Sequence, residues 1–66
     1  MNDLTKHYKV YPDKSQPNHF IVDIYEEADG AHSFKRMTSD LANLSTIIRK
    51  FEQEGYTADS IQFDSY

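Results

Sequence analysis

This sequence holds a single helical pattern, and that limits its architecture more than any other feature. Leu41, Leu44, Ile47, Ile48 and Phe51 recur at helical spacing and form one broad apolar stripe. Three stretches ahead of it alternate or are rich in β-branched and aromatic residues, and one more follows. A sheet has two faces, and one helix covers one of them. A chain built from these parts has a covered face that holds the core. Its other face gets no shield from this helix.

The helix is bounded by readable signals. Thr38-Ser39-Asp40 precedes it, so Ser39 or Thr38 is expected to cap the first turn, with Asp40 at the positive dipole end. Arg49 and Lys50 lie near the other end, where cations are favoured. Gly55 suits the left-handed position after the last turn, and Tyr56 can then pack back on Phe51.

The strands follow from alternation and from breakers. Residues 1–6 are polar and are expected to fray. Residues 7–11 alternate and make the first strand. Pro12 and Pro17 bracket a polar loop, because proline cannot donate to a ladder. Residues 19–27 form the strongest strand, residues 32–37 return from the Ala28-Asp29-Gly30 turn, and residues 60–64 form a short last strand. The order β-β-β-α-β predicts an α+β fold: a small antiparallel β-sheet with one amphipathic helix packed on one face. One domain over residues 1–66 is expected. A helical crossover makes the last strand parallel to the third, and so to the first. It can then add beside the first, in the order 3-2-1-4. Pairing with another chain is the competing arrangement.

The hairpin has two possible registers. A two-residue Asp29-Gly30 loop pairs Tyr25 with Phe34, Asp23 with Arg36 and Glu27 with His32. A three-residue loop with a bulge pairs Ile24 with Phe34, Asp23 with Lys35 and Glu26 with His32. The second is preferred here, because it puts Phe20, Val22, Ile24 and Phe34 on one face, although it turns Arg36 inward. The expected core is Tyr8, Val10, Phe20, Val22, Ile24, Phe34, Leu41, Leu44, Ile47, Ile48, Phe51, Ile61 and Phe63.

Composition excludes several chemistries. With no Cys among 66 residues there is no disulfide, thiolate-zinc site or cysteine nucleophile. Glycines at 30 and 55 do not make a phosphate-cradling loop. His7, His19 and His32 lack the close spacing of a ligand set, and the acidic segment from Asp23 to Asp29 does not match a calcium loop. His32 can approach Glu26 or Glu27, which reads as a surface ion pair rather than a general base. The serines have no nucleophile-elbow context. No cofactor is expected, and no enzymatic activity. No apolar leader opens the chain, its longest apolar run is three residues, and a cytoplasmic location is expected.

Lys6, Tyr8, Lys9 and Tyr11 interleave cations with rings, as single-stranded nucleic-acid binders do. The net charge of -4 opposes that reading. Residues 1–36 carry five Lys/Arg and six Asp/Glu, whereas residues 37–66 carry two and five. An acidic surface that imitates nucleic acid and fills a basic cleft is a further alternative. The five tyrosines carry the leading expectation, since so small a core cannot hold them all. Tyr11, Ile21, Tyr25, Tyr56 and Tyr66 are expected to bind a protein partner or a second copy of the chain. In size and charge the chain looks like the small acidic proteins of bacteria and their phages that regulate or inhibit a host protein by binding it. Nucleic-acid and membrane partners are not expected.

Overall fold

The computed structural model describes residues 5–62. Its elements are β1 (Thr5–Pro12), β2 (His19–Ala28), β3 (Ala31–Asp40), α1 (Leu41–Gln53) and β4 (Thr57–Ile61). They form one four-stranded sheet in the order β3-β2-β1-β4 with a single helix, the expected α+β class. β1, β2 and β3 are antiparallel neighbours, and β4 runs parallel to β1. Thr5 and Lys6 pair with Glu27 and Glu26, so this part of the segment expected to fray belongs to β1. The last strand begins three residues earlier than the alternation suggested, at Thr57. Phe63, from the expected core, lies outside the described residues.

The hairpin takes the register that was not preferred. Tyr25 faces Phe34, Asp23 faces Arg36 and Glu27 faces His32. Asp29 and Gly30 both adopt left-handed backbone, φ 53° and 81°, which suits a type I′ turn whose twist matches the strands. The turn sets the choice, and the two-bond Arg36–Asp23 pair fits the register it sets. Either register turns one β3 cation to the helix side; in the observed one it is Lys35, which faces Ile24 from the edge strand and stays exposed. Exposing Phe34 forfeits about 1.5–3 kcal/mol of burial. Phe34 is accordingly 55% exposed, on the face away from the helix.

The core is thin and lies between the helix and the β1–β2 centre of the sheet. Tyr8, Val10, Phe20, Val22, Ile24, Leu44 and Phe51 are buried, and Met37, Ile47, Ile48 and Tyr56 pack against them. The Tyr8 and Tyr56 rings each lie 4.9 Å from the Phe51 ring. Leu41 and Ile61, expected in the core, are 55% and 37% exposed. Strand and helix meet at Asp40 with no loop between, so Leu41 stands at the corner of the turn. Ile61 lies on the edge strand, beyond the layer that the helix covers.

Both helix ends are satisfied. The cap is Asp40 itself, whose carboxylate accepts from the Asn43 N–H at 2.9 Å. Ser39 is buried in β3 and donates to the Asp40 carbonyl instead. At the other end the Gly55 N–H donates to Glu52 and the Tyr56 N–H to Phe51, with Gly55 at φ 88°. This is the Schellman arrangement expected from Gly55. Among the described residues no helix is long and apolar enough to cross a membrane.

Candidate functional site

Strand register places side chains by parity, and two rows on the open face matter most. One row is His7–Tyr25–Phe34, running across β1, β2 and β3. The next is Lys9–Asp23–Arg36, and beyond it lies Tyr11–Ile21–Thr38. On the far side of the ring row stand Glu27 and His32. None of these belongs to the helix-covered core.

The first row is an aromatic ladder. His7 stacks on Tyr25 with centroids 5.3 Å apart and planes 22° apart. Tyr25 and Phe34 lie 5.2 Å apart and are tilted by 55°. Such geometry agrees with the ring quadrupoles, and each pair adds about 0.5–1.5 kcal/mol beyond burial. Cations of the second row approach the same rings. Lys9 Nζ lies 5.7 Å from the Tyr25 centroid and Arg36 Cζ 5.6 Å from that of Phe34.

Charges on this face neutralise one another. Asp23 is buried, yet Arg36 donates to it through Nε at 2.7 Å and an Nη2 at 3.2 Å, and the Tyr11 hydroxyl donates at 2.8 Å. The Arg36 hydrogen bond is the main cause that holds the Asp23 carboxyl below its ordinary range. Burial, with the Asp23 bond behind it, raises the Tyr11 hydroxyl. At one end His7 Nδ1 pairs with Asp59, beside the irregularity in the β1–β4 register. Toward the other, His32 lies 3.5 Å from Glu27 and both are well exposed. This is the surface ion pair expected for His32, with Glu27 rather than Glu26 as its partner.

The expected site residues divide between the two sides of the sheet. Tyr11, Ile21 and Tyr25 share the open face, each half-buried. Tyr56 does not join them. Its ring packs on Phe51, and its hydroxyl donates to Glu26 at 2.7 Å on the helix side. Tyr66 lies outside the described residues. Of the residues expected to hold nucleic acid, Lys9 and Tyr11 face outward, whereas Tyr8 is buried and offers no ring face to a base. Lys6 lies in the row of Glu26, with Nζ 5.4 Å from the Tyr56 centroid. That constellation is therefore split across the sheet. Of the charges suited to imitate phosphates, Glu26 is engaged by Tyr56 and Asp59 by His7, and Glu27 lies 3.5 Å from His32.

His7 and Phe34 were missed as members of the site. The available signal was the two-residue turn, because that register alone aligns Phe34 with Tyr25. No group of three or more His, Cys, Asp or Glu side chains among the described residues could hold a metal ion. Compared with family models, curated proteins and solved structures, the chain finds no match.

Proposed function

We propose that the chain is a non-enzymatic protein-interaction module that docks a partner protein on its open sheet face. The observation that carries this reading is the half-exposed ladder of His7, Tyr25 and Phe34 on a face whose carboxylates Asp23, Glu27 and Asp59 are paired. Rings supply contact area at low entropic cost, and paired charges leave no strong field to oppose desolvation. With Arg36 tied to Asp23, Lys9 is left to face phosphates on these rows, and nucleic acid needs several such cations. Two copies of a chain with net charge -4 repel each other, so a different, neutral or basic protein suits the face better than a second copy. Such a module regulates its partner by occupying that partner's surface.

The test has three arms on the same protein. A partner captured from the host and then purified should bind wild type and protect residues of β1, β2 and β3 from hydrogen exchange. Ile21→Asp should abolish binding while leaving the fold intact by circular dichroism. Sedimentation at micromolar concentration should show a monomer. Binding that survives Ile21→Asp, or that protects only the helix, overturns the reading. A stable dimer closed through this face would replace the partner with a second copy. Salt-sensitive binding of a single-stranded oligonucleotide by the ladder would replace it with nucleic acid.

A further inference from the structure

The open face ends in a cavity with a chemistry of its own. A hollow of about 230 Å³ is lined by His7, Tyr25, Glu27, His32 and Phe34, with Glu26 and Ser33 at its margin. We infer that this cavity takes the cationic end of a basic side chain, an alkylammonium or guanidinium, presented by the partner protein. The inference rests on the docking reading and names the chemistry of its occupant.

Four observations lead there. The lining presents the exposed Glu27 carboxylate, 3.5 Å from His32, and no Lys or Arg. Glu26 turns its carboxylate to Tyr56 on the helix side and His7 pairs with Asp59, so the complement is positive. The tilted Tyr25 and Phe34 rings offer the electron-rich surfaces on which cations settle. The molecule already uses both rings this way, since Lys9 and Arg36 approach them from the Asp23 row. The cavity lies toward the next row, that of Glu27 and His32, where no Lys or Arg among the described residues stands over them. Size supplies the fourth. The hollow falls below the roughly 300–1,000 Å³ of small-molecule pockets, so it admits one side chain rather than a whole ligand. An ammonium seated there meets the Tyr25 and Phe34 rings and the Glu27 carboxylate. A neutral isostere meets the rings alone.

A titration followed by nuclear magnetic resonance tests this with two probes. One is acetyl-lysine methylamide, a free ammonium on a lysine stem. The other is the same molecule acetylated on Nζ, which keeps the stem and removes the charge. The ammonium probe is expected to shift the ring protons of Tyr25, Phe34 and His32 saturably, with a dissociation constant of about 1–10 mM. The neutral probe should bind at least about tenfold more weakly, a difference of about 1.4 kcal/mol. Glu27→Gln, at an exposed position, should weaken the ammonium probe several-fold without altering amide dispersion. Equal shifts from both probes, or no saturable shift, overturn the inference. If the lysine probe fails while a purified partner still protects the ladder, the cation is wrong and the docking face stands. If the lysine probe binds and no partner engages the face, the cavity is a cation site and the docking reading falls.

Discussion

The guanidinium of Arg36 donates two hydrogen bonds to the buried carboxylate of Asp23, at 2.7 and 3.2 Å across the β2–β3 pair. Asp23 is 4% exposed, so its charge depends on this partner and on the Tyr11 hydroxyl. The pair fits the register that puts Phe34 beside Tyr25.

Acid should reveal that dependence. The Asp23 carboxyl lies below its ordinary value, chiefly through the Arg36 hydrogen bond. A depressed folded value gives stability above the unfolded value of about 3.9, lost as pH falls through the folded one. Arg36→Met is expected to destabilise the protein at pH 7 and to flatten its loss of stability below about pH 4. Urea midpoints at pH 7, 4 and 3 measure both effects. An acid limb identical to wild type would mean that the pair contributes nothing.

Alkali acts on the other side of the sheet. The Tyr56 hydroxyl is pushed up to about 12, first by its bond to Glu26 and then by burial. A raised folded value gives stability below the unfolded value of about 10, lost as pH climbs through the folded one. Ultraviolet titration should show a late-ionising tyrosine, and Glu26→Gln should move it down. Tyr8 and Tyr11 are raised as well, so Tyr56 is followed by its own ring resonances, and if these still titrate late in that variant the Glu26 bond is not the cause.

Core and corner leucines should part company. Leu44 is 1% exposed, and Leu44→Ala is expected to cost about 2–5 kcal/mol. Leu41 is 55% exposed, and Leu41→Ala should stay within about 0.5 kcal/mol. Chemical denaturation of the two variants checks this, and equal losses would place Leu41 in the core after all.

The helix exit depends on backbone conformation alone. A Cβ added at Gly55 meets no atom within 4 Å, so Gly55→Ala strains only φ, at 88°. The expected loss is about 1 kcal/mol, read from the denaturation midpoint. A neutral outcome would show that the left-handed turn is dispensable.

Much of the fold was legible because its signals are local. The stripe from Leu44 to Phe51 and Gly55 at its end marked the helix. Alternation around Val10 and Val22 marked the strands, and chain-connection rules allowed β4 beside β1 while leaving pairing with another chain open. Hairpin register was not legible in the same way. Ala28-Asp29-Gly30 suits a two-residue or a three-residue loop, and counting apolar residues favoured turning Phe34 inward. The cap was misplaced for a similar reason, since Thr38, Ser39 and Asp40 are all capping residues and only the end of β3 selects Asp40.

By itself the sequence determined that one helix covers one face of a four-stranded sheet, and that tyrosine and isoleucine remain on the other. Periodicity and connection handedness suffice for that, because both act through neighbours along the chain. Only the tertiary structure decided which rings share that face. Asp23 is satisfied by Arg36 and Tyr11, groups from the two strands that flank it, in the register that the two-residue turn sets. Those two pairings, set between strands rather than along them, go with the registers that align His7, Tyr25 and Phe34 into a ladder beside the cavity, and a one-residue slip would turn Phe34 to the other face.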